Sequence, residues 1–518
     1  MVNSYSPTAC RWAEGAAGEG TGVQDLARKV AAGAAWMVAL RFASRLLGVA
    51  SMLVLARLLA PADFGLIALA TTVVALVDIA SEFNFDLALI RDPRAGRPEY
   101  DTAWTLIILK CLGLALVLTA LATPAALFFG DPRLEPIFWI LAGCVLFEGF
   151  GNIGTVDFRR DLEIAKEFRF HLYGRLAQVG AAVPLAFWLR DWRALLAGIV
   201  ARYVALFVAS WTMSPYRPRL SLARWRELVH FSKWVLVNNG LGYLRERIDQ
   251  LVIGKLLGPA PLGLYAMAQE ISDLPTSELA QPVARAAYPG YARIAGEPAR
   301  LAQGYLESLA MLLAVTLPAA VGIALLADPL VRVLLGAKWL EAVPLIGALV
   351  LYAVLRTAST LAGPLFLAMG RVRIEPALLA LNLALLVPLL LAGVPALGLM
   401  GAVLALSVCA AVDLVLRLSI VSRLLALSFG RIARAVWRST VATAVMALLV
   451  AGIRDQLDGP VLQLLVGGAC GAAVYGATLF TLWWAAGRPA GAERTLLVQL
   501  GGLFGGRWRT GLAEAPPA

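Results

Sequence analysis

Charge is what this chain has least of. Only 15% of its 518 residues are Asp, Glu, Lys or Arg, against roughly a quarter in soluble domains. Meanwhile 60% are hydrophobic and the mean hydropathy is +0.76. A soluble protein of this length needs more polar surface than that, so a water-soluble globular class is excluded. Histidine is nearly missing. His171 and His230 are the only two, both near expected cytoplasmic helix ends, and they read as interfacial rather than catalytic residues. The five cysteines, Cys10, Cys111, Cys144, Cys409 and Cys470, have no metal-ligand spacing and four lie in apolar runs, which excludes a disulfide framework. The first thirty residues hold Asp25, Arg28 and Lys29 where a signal peptide would need an apolar region. They are expected to form a cytoplasmic tail ending in a short amphipathic piece at Val23, Leu26 and Val30. The glycines at 501, 502, 505 and 506 lack a P-loop lysine, so nucleotide binding is not read there.

What the chain does have is long apolar runs. From Ala377 to Ala392 only Asn382 is polar, and stretches near ~20 residues, enough to cross a bilayer as a helix, recur along most of the sequence. Strands of a membrane barrel would alternate over ~10 residues instead, so the runs predict an all-α polytopic membrane protein. Fourteen helices are predicted, at 33–58, 64–84, 103–129, 134–155, 170–189, 194–213, 232–257, 264–289, 304–327, 340–369, 374–394, 397–422, 436–453 and 460–486. Pro275, Pro282 and Pro289 interrupt the eighth. The net charge of +11 needs no nucleic acid, because cytoplasmic loops of membrane proteins collect Lys and Arg. Arg159, Arg160, Lys166 and Arg169 fill one loop, and Arg217, Arg219, Arg224 and Arg226 another, on the side shared by both termini. The positive-inside rule therefore places both termini in the cytoplasm. The loop at 214–231 carries Leu222, Trp225 and Val229 at helical spacing among arginines, which suits a short interfacial helix.

The sequence also repeats itself. Leu55 to Ala70 reads LARLLAPADFGLIALA and Ile253 to Ala268 reads IGKLLGPAPLGLYAMA, with eight of the sixteen positions identical. Pro61 matches Pro259 and Gly65 matches Gly263. Each copy ends one long helix, turns, and begins the next. Six helices separate the copies, so the two units have parallel topology, as in transporters whose site lies between repeats. The expected division is a tail at 1–30, a lobe of helices one to six at 31–213, a linker at 214–231 and a lobe of helices seven to twelve at 232–422. Two additional helices at 423–486 and a tail at 487–518 complete it.

Charges inside membrane helices cost at least ~2.5–3.5 kcal/mol each on insertion scales, so each one asks for a reason. Arg41 and Arg45 in helix one share a face at i, i+4 and lie deep by helix rise. Either they face a cavity and bind an anion, or each pairs with a carboxylate such as Asp78 or Glu82. Lys110, Arg175 and Arg202 are further cationic candidates, although the first two are near enough to an interface to snorkel. Helix seven holds Arg245, Glu246, Arg247 and Asp249, of which Arg245 and Asp249 have pairing distance in sequence. Helix eight holds Glu270, Asp273 and Ser277 on one face. The acids suit binding of a coupling proton or Na⁺, or neutralisation of neighbouring arginines.

At the repeat the chain resembles the oligosaccharide-lipid flippases of bacterial polysaccharide export, in the superfamily that also holds multidrug exporters and lipid II flippases. The likeness is to exporters of the colanic-acid and exopolysaccharide type. It is carried by ARLLAPADFGLIALA, by DIASEFNFDLALIRD from Asp78 to Asp92, and by FRRDLEIAKEF from Phe158 to Phe168. LLGPAPLGLYAMAQEISDLP from Leu256 to Pro275 and LLGAKWLEAVPLIGAL from Leu334 to Leu349 extend it. Asn84 and Ser232 stand where the family pattern has glycine. The resemblance implies a transporter rather than an enzyme, with no cofactor beyond a coupling ion. The implied substrate is an undecaprenyl-pyrophosphate-linked oligosaccharide. The implied partners are that lipid-linked oligosaccharide, membrane lipid, and the polysaccharide polymerase and export machinery. Under it, Arg41 and Arg45, with Lys110, Arg175 and Arg202, become pyrophosphate ligands, because guanidinium binds phosphate bidentately. A drug/cation antiporter would need acids in helix one, which offers two arginines instead. A lipid II flippase remains open, because lipid II also carries pyrophosphate. A membrane glycosyl or acyl transferase would need clustered acids or histidines at one membrane face, and the sequence has none.

Overall fold

Proline and glycine punctuate nearly every helix end. The computed structural model describes residues 44, 46–79, 89–90, 95–161, 163–276 and 280–487. We number the spans α1 (Leu46–Leu58), α2 (Pro61–Ile79), α3 (Arg97–Phe129), α4 (Leu134–Gly149), α5 (Ile164–Leu189), α6 (Trp192–Met213), α7 (Trp225–Leu256), α8 (Pro259–Ser272), α9 (Pro298–Leu325), α10 (Val343–Ser359), α11 (374–397), α12 (399–425), α13 (Phe429–Arg454) and α14 (Pro460–Ala485). Proline occupies the first turn of α8, α9, α10 and α14, where its missing N–H costs nothing. The Asp191 carboxylate caps α6 by accepting from the Arg193 N–H, and the Ser428 hydroxyl caps α13 by accepting from the Arg431 N–H.

Several expectations change in detail. The eighth span is broken: α8 stops at Ser272, and a separate helix, Gln281–Ile294, follows with Pro282 in its first turn. Helix α7 is continuous from Trp225, so the short interfacial helix expected around Leu222 to Val229 is not a separate element. Ile374–Leu425 forms 52 residues of helix folded back at Gly398, whose φ is +60°. Gly393 packs on Gly401, Asn382 lies beside Cys409 and Glu375 beside Arg417. These pairs recede evenly from Gly398, which makes α11 and α12 an antiparallel hairpin. Among the described residues, eight helices are individually long and apolar enough to cross a bilayer, Ile374–Leu425 being one of them. α5 and α7 are not among those eight. Leu116, Leu127, Trp188 and Leu448 are strongly exposed, as lipid-facing side chains are in a protein whose solvent is hydrocarbon.

The two lobes meet where the sequence repeats. A Cβ on Gly65 would lie 1.7 Å from the Pro259 carbonyl oxygen, and a Cβ on Gly263 would lie 1.8 Å from the Pro61 carbonyl oxygen. The contact is reciprocal, so a pseudo-twofold axis passes between the two glycines, and only glycine permits so close a crossing of α2 on α8. We call this end of the molecule the crossing face. Around it α1 is clasped by the segment after α9. Arg57 donates to the Val333 and Leu334 carbonyls. Lys338 Nζ donates to the Leu59 carbonyl at 2.9 Å, and Trp339 Nε1 to the Ala56 carbonyl at 2.8 Å. These are carbonyls in the last turn of α1, which have no partner inside their own helix. Trp339 is fully buried and meets Phe64 edge to face at 5.4 Å. One apolar core joins both lobes here, from Leu66 and Leu69 to Tyr265 and Trp339. Toward the opposite face the cores are separate, one within the first lobe around Tyr100 and Ile153, the other within the second around Tyr305 and Phe366. Among the described residues, the lobes therefore share an apolar core only at the crossing face.

Candidate functional site

The shared core ends at a polar seam. Thr72 Oγ1 donates to Gln250 Oε1 at 2.8 Å across the lobe boundary, and Gln250 Nε2 reaches Gln269 Oε1 at 3.3 Å. One turn and a half further from the crossing face lie the charges. In the first lobe, Lys110 Nζ sits 2.8 Å from Asp78 Oδ1. Glu148 and Arg202 line the same cavity of about 530 Å³, with His171 and Tyr203. Lys110 therefore has a carboxylate partner and points into the protein rather than snorkelling to an interface.

Arg175 is placed differently. Its guanidinium packs on α1 at Gly48, and Nη1 donates to Gln178 Oε1 at 3.4 Å. It is brought to α1, without lining the cavity that holds Lys110. Arg41, Arg45, Glu82 and Ser277 lie outside the described residues, and with them the expected pairing of the two arginines with Asp78, Glu82 or an anion.

The second lobe holds a larger cavity of about 770 Å³. Arg245 enters it from α7, donating through Nε to Asn382 Oδ1 at 3.1 Å. Asn382, the one polar residue of the Ala377–Ala392 run, thus orients a cavity arginine. Arg245 and Asp249, which sequence spacing allows to pair, do not. Asp249 is fully enclosed, accepts from the Tyr265 hydroxyl of α8 and caps its own neighbour's N–H, from Gln250, at 2.9 Å. Asp273 instead pairs with Arg356 at 3.5 Å, and Glu246, Arg247 and Glu270 are all within electrostatic reach of it. Arg247 also lies over the Tyr243 ring, 6.0 Å from its centroid. Tyr243 is close enough to feel both Arg247 and, from the other lobe, Asp78. The two charged clusters thus face each other across the gap between lobes, beyond the seam.

Sequence reasoning missed part of this cavity. Arg285, Arg356 and Arg371 line it, together with Glu375, Asp413 and Arg417. Arg417 is 6% exposed. Its guanidinium holds Asp413 Oδ2 at 2.8 Å through Nε and both Glu375 oxygens at 2.7 and 3.0 Å through Nη1 and Nη2. The signal was present: Asp413 and Arg417 are an i, i+4 pair of opposite charges inside an apolar run. The cavity is lined by five arginines and three carboxylates, so it presents net positive charge to whatever enters. Among the described residues no group of His, Cys, Asp and Glu has metal-site geometry. A net cationic, partly desolvated cavity in the second lobe, with a second charged cavity in the first, offers electrostatic attraction to an anionic group.

Comparison with known proteins agrees with this architecture. The model of a family described as polysaccharide biosynthesis protein matches residues 54–344. The chain is 25% identical over 388 residues to the lipopolysaccharide biosynthesis protein WzxC of Escherichia coli K12, covering 73% of this chain and 78% of that one. It is 24% identical over 300 residues to the succinoglycan biosynthesis transport protein ExoT of Rhizobium meliloti, covering 58% and 61%. Among solved structures, the lipid II flippase MurJ in an inward closed conformation superposes with a TM-score of 0.72. That match is at 14% identity and covers 87% of this chain and 99% of that one. An inward-facing multidrug MATE transporter gives a TM-score of 0.57 at 17% identity, covering 74% and 95%. At such identities the likeness is one of fold, and the fourteen-span, two-lobe architecture is the one shared with the first of these two structures.

Proposed function

The chain belongs to the polysaccharide biosynthesis protein family, and from that premise we propose that it is a flippase. It carries an undecaprenyl-pyrophosphate-linked oligosaccharide repeat unit across the inner membrane for lipopolysaccharide or exopolysaccharide biosynthesis. The observation that carries this reading is the pair of charged clusters facing each other behind a sealed crossing face. Both termini lie in the cytoplasm, by the distribution of Lys and Arg. The crossing face is then the outer one, and in this reading its closure leaves substrate to load from inside. The pyrophosphate is held by first-lobe cations: Lys110 and Arg202 from the described cavity, Arg175 against α1, and Arg41 and Arg45 of the sequence that precedes α1. Guanidinium pairs match phosphate oxygens bidentately. The sugars occupy the gap between lobes while the prenyl chain stays in lipid. Release follows when the crossing face parts and the opposite ends of the lobes close. Arg247, Asp249, Glu270 and Asp273 act in the second lobe as counter-charges, with the acids open to a coupling proton or Na⁺. The polymerase and export machinery receive the product. No bond of the substrate is made or broken, so the protein acts as a transporter and not as an enzyme.

Mass spectrometry of lipid-linked glycans from cells with and without the gene tests the reading. Accumulation of an undecaprenyl-pyrophosphate oligosaccharide in the deletion, cleared by the intact gene, is the expected result. Unchanged lipid-linked glycans with surface polysaccharide intact would contradict it. A second prediction separates substrate binding from mere charge neutralisation at Lys110. Lys110→Gln should lower complementation by roughly tenfold or more, in line with a lost charge-assisted hydrogen bond of ~1.5–3 kcal/mol, and Lys110→Arg should retain it. If Lys110 served only to neutralise Asp78, the double change Lys110→Gln with Asp78→Asn would restore transport. Export assays on the double variant are expected to show no restoration.

A further inference from the structure

A third cavity lies apart from both charged clusters. The start of α9, the end of α12 and the start of α13 enclose about 660 Å³ at the end of the molecule opposite the crossing face. Its walls are apolar, with Ala302, Leu306 and Leu425 among them, and its cationic lining comes from Arg431, Arg434 and Arg438 of α13. The spacing i, i+3, i+7 puts the three guanidiniums on one stripe, spread over roughly 10 Å of helix axis. Among the described residues, the only acid lining the cavity is Glu307, already engaged by Gln303 Nε2 at 2.8 Å. Among the described residues, too, Arg431 and Arg434 have no carboxylate partner. Arg431 and Arg434, like charges one turn apart, repel one another, and the first-turn N–H groups of α13 add positive potential at the same end.

The stripe continues away from this end with a change of chemistry. Val441 follows Arg434, and Val445 follows Arg438, at i+7. Both valines are exposed, as is the neighbouring Trp437. Helix α13 thus presents cations at the depth of lipid headgroups, an indole beside them, and bare aliphatic surface at the depth of acyl chains. We propose that this cavity is a binding site for an anionic membrane phospholipid. Its phosphate sits among Arg431, Arg434 and Arg438, and its acyl chains run down the α13 flank past Val441 and Val445. The phosphate relieves the repulsion between Arg431 and Arg434, and the lipid ties α13 to the start of α9, the second-lobe helix on which α13 packs.

The test uses the full-length protein in a mild detergent, equilibrated with equimolar dioleoyl phosphatidylglycerol and dioleoyl phosphatidylethanolamine and read by native mass spectrometry. The wild-type protein is expected to retain phosphatidylglycerol in preference to phosphatidylethanolamine by about tenfold or more, because both lipids pay the same cost of ordering and only the first carries net negative charge. Arg431→Gln with Arg434→Gln, both at exposed positions, should cut that preference to about a third or less, and the triple change including Arg438→Gln should abolish it. The triple Lys variant should keep a clear preference. Equal retention of both lipids by the wild type, or an unchanged preference in a monodisperse double variant, would overturn the proposal. Displacement of phosphatidylglycerol by excess sn-glycerol 3-phosphate would overturn it too, because the ligand would then be a soluble phosphate and not a membrane lipid.

Discussion

Gly65→Ala is expected to reduce transport by tenfold or more while the protein still folds and inserts. The added Cβ would lie 1.7 Å from the Pro259 carbonyl oxygen and 2.7 Å from the Gly263 nitrogen. Those are backbone atoms, which cannot turn aside as a side chain can. Overpacking of a tight contact costs about 1–3 kcal/mol, and here the cost falls only on the state in which α2 and α8 cross. The equilibrium should therefore shift toward a parted crossing face, by a factor of roughly 5 to 150. Gly263→Ala should act alike, because its Cβ meets Pro61 in the mirror-image contact. Gly113→Ala in α3 supplies the control, because a Cβ there meets nothing within 4 Å. The measurement is labelling of single cysteines near the Pro61 and Pro259 turns by a membrane-impermeant thiol reagent, together with export of the glycan. Greater labelling and lost export in both crossing variants, with neither change in Gly113→Ala, is the expected pattern. Full export by Gly65→Ala would show that the closed crossing is not part of the cycle.

Arg417→Ala should destabilise the second lobe by about 3–5 kcal/mol, the usual cost of stranding a buried countercharge. Asp413, 5% exposed, would be left without its partner at 2.8 Å. Glu375 loses its bidentate contact too, but its side chain is about half exposed and can turn to solvent. The asymmetry yields a second expectation: Asp413→Leu combined with Arg417→Met should recover most of the stability lost in Arg417→Ala, because an apolar pair replaces a buried ionic one at little cost. Thermal denaturation in detergent, followed by size-exclusion chromatography, reads both. Transport should stay impaired in the stabilised double variant, which lacks one of the cavity's five arginines. A double variant that is both stable and fully active would assign Arg417 to packing alone.

The helices and the repeat were legible because both are local properties. Apolar runs mark spans, and Pro61 with Gly65 recurs as Pro259 with Gly263 at a fixed offset. The sequence could not say that these two copies touch, since a crossing of two backbones across nearly two hundred residues leaves no local trace beyond the glycines themselves. The LLGAKWLEAVP signature likewise stood out in sequence, and only the fold reveals its work as the clasp on α1 through Lys338 and Trp339. The charged clusters were half legible. Intramembrane charge pointed to Lys110 and Arg245 individually, but partners are chosen by packing. Asp249 is held by Tyr265 of α8 and not by Arg245 one turn away. Arg417 and Glu375, 42 residues apart, meet only because Gly398 folds α11 back on α12.

Reconstitution tests the central claim most directly. Purified protein in proteoliposomes, supplied on one side with an undecaprenyl-pyrophosphate oligosaccharide, is assayed for glycan that becomes accessible to a glycosidase on the other. The glycan is expected to cross with its mass unchanged, and to cross at least tenfold more slowly with the Gly65→Ala protein. A folded wild-type protein that moves no lipid-linked glycan, or that returns it chemically altered, would contradict the assignment as a flippase.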